Sequence, residues 1–513
     1  MSLEERIQKM KRLLIVLCAM FLLIVPIAGC GKGSGSGDEK IPENAQGSGK
    51  DTDFRVGYAR AVITPNYPVP LAGYGNTERR MSDGFLDDIC VTCVAVSGTN
   101  NETLLWFTSD LINIRQNELA VEIKNDITEA TGIPFENINL CYTHTHSSVD
   151  LEKNVFERQA SVRKFYEDYR AKCLSTALEA LSDREPVEKM EYGISDLTGF
   201  NFVKHYYTDK DEVVGDNHGG YATGTVNRHT TDSNHNMYLL RFNRASKKPV
   251  VLATFRAHPI LTGGSDKKDI SADYVGALRM EIEKGEDCLF AFYQGEAGNH
   301  NAKSRLQEEN DVNGCTTSGG TDEYLQWGEN AYARVKETLA KDMKEVAMGP
   351  VYTDCRYVTL DVNHLWDADV AIARELSSYF TSTNDRNGIW AMCYEHGIES
   401  PYHASAIVSR SVKPKTQDVE INAAILGDFI MVCAPFETFH TNGDYIRANS
   451  PSEYHFVFGY SNESNGYLPS SQGYSYGCYE ADTSTFAPGS GEILADAEVE
   501  MIKDLWKKKT EAK

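Results

Sequence analysis

Positive charge is scarce in this chain. Its 51 lysines and arginines are outnumbered by 74 aspartates and glutamates, leaving a formal charge of −23 over 513 residues. Nucleic-acid binding depends on clustered Lys and Arg, so nucleic acid is not an expected partner. The acidity suits solubility. A comfortable membrane span is missing too: Leu13–Ile27 is apolar, but it is shorter than the ~20 residues of a spanning helix. After Asp53 there is no repeat, no low-complexity segment and no second linker, which argues for one large domain. Cysteine pairs of the zinc-ribbon kind are lacking. Cys90-Val91-Thr92-Cys93 has the spacing but lies in an apolar run, and with Cys141, Cys288 and Cys433 it reads as core packing.

What is present begins with an address. Lys9, Lys11 and Arg12 precede the apolar run, which ends in Ile27-Ala28-Gly29-Cys30. That ending resembles a bacterial lipobox, in which cleavage falls before a lipid-carrying cysteine. The expected organisation is a lipoprotein signal peptide over 1–29, lipidated Cys30, a Gly/Ser-rich flexible tether over 30–52, and a catalytic domain over 53–513. Residues 1–29 carry four basic and two acidic side chains, so the mature chain is near −25. The expected location is the bacterial cell surface, membrane-anchored and outside the cytoplasm.

Hydrophobic periodicity gives alternating elements. Strands are predicted at 56–63, 89–96, 104–108, 138–142, 237–241, 250–256, 289–293, 351–360, 419–426 and 429–433. Helices are predicted at 117–131, 162–181, 274–283, 322–347, 367–379, 438–448 and 491–507. Such mixing over a long chain predicts an α/β fold, a single large layered domain with mixed sheets and packed helices. The polar stretch 200–236 reads as an irregular insertion lining a site, and 382–418 as a further loop.

Chemistry collects where apolar runs stop. The run Ile138–Tyr142 ends in Thr143-His144-Thr145-His146. In an extended backbone the two imidazoles share a face, and imidazole is the commonest ligand for transition metals. The run Val250–Phe255 ends in Arg256-Ala257-His258-Pro259. Phe429–Ala434 ends in Pro435-Phe436-Glu437. Leu289–Tyr293 ends in Gln294-Gly295-Glu296-Ala297-Gly298-Asn299-His300-Asn301, whose glycines would let backbone approach a ligand. Sites of α/β sheets gather at the carboxyl ends of strands. Histidines and a glutamate at four such ends suit a zinc site with a position left for water.

In order along the chain, these motifs resemble the catalytic domain of the neutral (non-lysosomal) ceramidases and their bacterial relatives. The resemblance runs through Val56–Pro65, Leu71-Ala72-Gly73-Tyr74-Gly75, Phe107-Thr108-Ser109-Asp110 and the His144/His146 motif. It continues with Ala257-His258-Pro259, Ile270–Gly276, Gln294–Gly298, Pro435-Phe436-Glu437, Asn465–Pro469 and Gly477-Cys478-Tyr479-Glu480. It implies Zn2+ held by His144, His258, Glu437 and Tyr467. His146 would then be a neighbouring acid–base or hydrogen-bonding residue, with the choice of ligand between His144 and His146 left open. Tyr460, Tyr474 and Tyr476 are alternative tyrosines.

Two departures bear on substrate. Ceramidases carry Gly-Asp-x-Ser-Pro-Asn where this chain has Gly298-Asn299-His300-Asn301-Ala302-Lys303, so the substrate-contacting serine is replaced by Asn301, which cannot act as a nucleophile. Full-length ceramidases also continue into an immunoglobulin-like C-terminal domain, which is not expected here. Their paired arginines are replaced by Lys204-His205. Zinc lowers the pKa of water to roughly 7, and an amide needs a proton for its departing amine. His146 or His300 would supply it. The expected function is a zinc amidohydrolase cleaving an N-acyl amide such as ceramide, a small-molecule or lipid substrate. The alternatives are a same-fold metallohydrolase of an ester or carbohydrate amide, and a non-catalytic lipid- or glycan-binding surface lipoprotein.

Overall fold

The computed structural model describes residues 53–512 except 75–79, 216–225, 231–233, 304–321, 365–369 and 384–385. The expected signal peptide, Cys30 and the tether lie outside the described residues. The larger sheet has nine strands. They are β1 (Arg55–Val62), β2 (Cys90–Ser97), β3 (Thr103–Ser109), β4 (Ile138–Tyr142), β5 (Glu185–Asp196), β6 (Asn236–Arg244), β7 (Val250–Phe255), β8 (Leu289–Gln294) and β9 (Lys344–Val346). Their spatial order is β8-β7-β6-β5-β1-β2-β3-β4, with β9 paired to β5. A second sheet, in chain and spatial order alike, holds β10 (Val351–Asp361), β11 (Thr416–Leu426), β12 (Phe429–Cys433) and β13 (His455–Phe458). The pairs β3/β4, β7/β8 and β12/β13 are parallel.

Both faces of the large sheet are covered, which is why β2 and β3 read as unbroken apolar runs. Cys93, Ala95, Leu105 and Phe107 face one core, whose outer wall is α1 (Asn117–Thr131) and α2 (Ala160–Ser182). The alternate residues Val94, Val96, Leu104 and Trp106 face Phe429, Met431 and Phe456 of the second sheet. Beyond β6–β8, a third core lies against α3 (Asp273–Glu286) and α4 (Glu323–Lys341), centred on Trp327. The outer face of the second sheet packs Val419, Ile421 and Val432 against Leu494, Ile502 and Leu505 of a C-terminal helix. The chain is therefore layered helix–sheet–sheet–helix, the mixed α/β arrangement expected.

Several expectations are corrected. The predicted helix 322–347 stops at Lys341, and Lys344–Val346 instead joins β5 as a strand. The loop expected at 382–418 contains α6 (Arg386–Glu395) and α7 (Pro401–Ser411), which follow α5 (Val370–Ser382) and share a small core around Leu376, Ile389 and Ile407. Ser400 caps α7 by accepting from the His403 N–H, and Pro401 occupies its first turn, a start signal legible in the sequence. The insertion 200–236 is not wholly irregular either: its described residues include strands Asn201–Val203, His205–Thr208 and Val213–Gly215. The remaining helices named below are α8 (His440–Asn449), α9 (Tyr479–Thr483) and the C-terminal α10 (Ser490–Glu511).

Candidate metal centre and active site

Strand ends of both sheets converge on one point. His144 follows β4, His258 follows β7, and Glu437 lies just past β12 in a two-residue strand, Glu437–Thr438, that pairs with Tyr467–Leu468. His144 Nε2 is 3.2 Å and His258 Nε2 is 3.1 Å from the same Glu437 oxygen, Oε2. The other ring nitrogens fix the tautomers. His144 Nδ1 donates to the Ile112 carbonyl at 2.8 Å, and His258 Nδ1 donates to the His300 carbonyl at 2.9 Å. A carbonyl only accepts, so each Nδ1 carries the proton, and in a neutral ring the Nε2 lone pair faces the carboxylate.

Two lone pairs against one carboxylate oxygen is a repulsive arrangement unless a cation lies among them. Burial pushes the His258 pKa down, and the nearby Lys204 ammonium adds to this. Burial alone would raise the Glu437 carboxyl, but His144 and His258 hold it well below the usual carboxylate range. A carboxylate and imidazole nitrogens gathered in one buried pocket are the donor types of a transition-metal site. His146 completes it: one nitrogen each of His144, His146 and His258 falls within 4.8 Å of the others. Among the described residues neither nitrogen of His146 has a hydrogen-bond partner, and burial, with His144 and His258 beside it, drives its pKa well down.

The two motif histidines do not meet through strand periodicity. His144 has φ +66°, a left-handed conformation, so the backbone turns sharply after Tyr142 and the shared-face expectation is replaced by a bend. Tyr460 is also left-handed, at φ +56°, and its ring lies 4.3 Å from that of His144. Two strained non-glycine residues side by side are typical of a functional site. Gly73, at φ +102°, makes room for His146: a Cβ there would lie 2.5 Å from His146 Nδ1. Tyr74 packs edge-on against His146 at 5.4 Å. Arg80 donates to the carbonyls of Ala72 and His146 and lies over the Tyr74 ring.

Tyr467 sits 6.4 Å from the His258 ring, centroid to centroid, and stands in register with Glu437, whose N–H donates to the carbonyl of the preceding Gly466. The Tyr460 ring lies equally far from His258, at 6.4 Å, and closer to His144, and its hydroxyl has no hydrogen-bond partner among the described residues. The His300 ring stands edge-on to His440 at 4.9 Å with Nδ1 near Asn299 Oδ1, and its carbonyl accepts from His258 Nδ1. Asn301 bridges His258 and Phe202 through its backbone. The glycines of the Gln294–Gly298 motif approach backbone rather than ligand: a Cβ at Gly298 would lie 2.3 Å from the Glu437 carbonyl oxygen. Tyr74 and Arg80 had no assigned role in the sequence, because neither sits on a strand end or in a pattern of ligand spacing, and Tyr460 entered only as an alternative to Tyr467.

This layered mixed α/β fold, with imidazoles and a carboxylate at its strand ends, is of the neutral ceramidase type. The neutral ceramidase from Pseudomonas aeruginosa superposes with a TM-score of 0.66 at 18% identity, covering 89% of this chain and 75% of that one. A ceramidase complexed with C2 gives a TM-score of 0.64 at 16% identity, covering 89% of this chain and 76% of the other. No family model and no curated protein sequence matches the chain.

Proposed function

We propose that this protein is a zinc-dependent amidohydrolase that cleaves an N-acyl amide of the ceramide class. The observation that carries the reading is the approach of His144 Nε2 and His258 Nε2 to the same oxygen of Glu437, each proton held on the far nitrogen. His144, His258 and Glu437 are the residues to hold the ion, with Tyr460 or Tyr467 the adjacent hydroxyl. When bound, zinc supplies Lewis acidity toward a carbonyl oxygen and lowers the pKa of water to roughly 7.

The chain's own residues do the rest. His146, with both ring nitrogens unpartnered, is the group to take a proton from the attacking water and return it to the departing amine. Gly73, Tyr74 and Arg80 hold its ring in place. Glu437 orients the two histidine rings, and the Ile112 and His300 carbonyls hold their tautomers. Asn301 then needs no nucleophilic role. The likeness in fold to ceramidases favours an acylated amine over other bonds. The lipobox-like Ile27-Ala28-Gly29-Cys30 supports anchoring at the cell surface through a lipid on Cys30.

The test is metal analysis of the purified protein, then a panel of N-acyl amides, ceramides included, assayed with and without chelator. Chelation should abolish amide hydrolysis, and zinc should restore it. Full activity in metal-free protein would overturn the reading. Labelled fatty acid should enter the wild type and not Cys30→Ser.

A further inference from the structure

A second set of donors lies apart from the first. The strand His205–Thr208 starts with His205, and Cys478 immediately precedes α9, which carries Glu480. One donor atom each of His205, Cys478 and Glu480 falls within 4.8 Å of the others, and all three residues are buried. His205 Nε2 is buried without a hydrogen-bond partner among the described residues. It faces Glu480 Oε2 at 3.8 Å, too long for a hydrogen bond. Two ligands bonded to one zinc at about 2.0–2.2 Å stand roughly 3.4 Å apart in a tetrahedron and somewhat more when the angle opens. The spacing therefore matches donors on either side of an ion.

Lys204 is the obvious competitor, since its Nζ is 2.6 Å from Glu480 Oε1. It occupies the other oxygen of the carboxylate and leaves Oε2 turned toward His205. Burial pushes the Cys478 thiol pKa up and its Sγ donates to the Gly473 carbonyl at 3.5 Å, so an ion would displace that proton; the thiolate then formed and the carboxylate together exceed the single ammonium charge. The thiolate–imidazole–carboxylate set selects a soft or borderline metal over calcium or magnesium.

We propose that His205, Cys478 and Glu480 form a second metal site for a divalent cation of the zinc class. The ion fastens α9 to the segment carrying Lys204 and His205. Tyr479 packs edge-on against Tyr467 at 5.8 Å, and the Lys204 ammonium lies 5.5 Å from the Tyr467 ring. The ion thereby fixes the wall behind Tyr467 without joining the first centre.

The two sites differ in sulfur, and the test uses that difference. The full chain is stripped of metal and reloaded with cobalt(II). A near-ultraviolet thiolate-to-cobalt charge-transfer band is expected in the wild type, in His144→Ala and in Glu437→Gln. Cys478→Ser and His205→Asn should lose the band and one equivalent of bound metal. If Cys478→Ser does not fold, His205→Asn, which keeps the thiol, carries the test. No band in the wild type at saturating cobalt, or a band unchanged in Cys478→Ser, overturns the proposal. Failure of the first centre reads differently: His144→Ala would then bind as much metal as the wild type.

Discussion

A single backbone angle separates the expected from the observed placement of the first histidine pair. Period-two reasoning placed His144 and His146 on one face of a strand, whereas a left-handed His144 turns the chain there. The residue types were legible because imidazoles and carboxylates after apolar runs are few. The turn was not, because nothing in Thr143-His144-Thr145 marks a positive φ. Asn301 shows the same division. Its replacement of a serine is plain in the sequence, but its place in a backbone bridge to His258 is a tertiary fact. Asn301→Ala should retain most hydrolysis, within about tenfold of wild type, since its ladder bonds are made by the main chain. His144→Ala should cost several kcal/mol of transition-state stabilisation, roughly a thousandfold in rate or more. Parallel kcat/KM measurements decide; equal damage from both would return a direct chemical role to position 301.

Among the elements, strands buried on both faces were the easiest to read. β4 and β12 have the bounds that their apolar runs predict, Ile138–Tyr142 and Phe429–Cys433. β5 was missed although it is the long central strand Glu185–Asp196. Pro186, Lys189 and Gly193 hide it, and it is a strand because β6 pairs with it from Asn236 to Arg244, a case of context overriding propensity. The Glu437–Thr438 strand is likewise too short to be read locally. Its position depends on Gly298, whose N–H donates to the Thr438 carbonyl at 2.9 Å. Because a Cβ on Gly298 would collide with the Glu437 main chain, Gly298→Ala should shift that carboxylate. A displacement on the ångström scale costs roughly a hundredfold in rate. The expected result is a folded protein with weakened metal retention and low kcat, followed by metal content and by circular dichroism. Unchanged metal content would refute it.

For the molecule as a whole, carboxyls buried beneath its outer helices carry a pH signature. Glu498 on α10 is buried, and desolvation, helped by Glu296, pushes its carboxyl up to about 8. An exposed glutamate titrates near 4.3, so over the interval from there to about pH 8 the folded chain holds a proton that the unfolded chain releases. Stability therefore falls as pH rises through that window. Asp273, pushed up to about 6 by burial, acts in the same sense over a narrower range. Glu498→Gln should flatten the fall in Tm between about pH 5 and pH 8; a variant with the wild-type slope would remove Glu498 as its source.

The division of the donors between the two sheets also orders events in time. His144 and His258 follow β4 and β7 of the nine-stranded sheet, whereas Glu437 arrives with the second sheet, late in the chain. During synthesis the histidines exist long before their carboxylate partner, and no local contact substitutes for it. The pair of sheets must dock before the three side chains meet, and closing so distant a contact is slow. A nascent or truncated chain ending before Glu437 would expose imidazoles without the anion that completes the site. On the proposed metal-dependent reading, ion capture would be the last step of maturation rather than a seed for folding, and would report on whether the two sheets have docked.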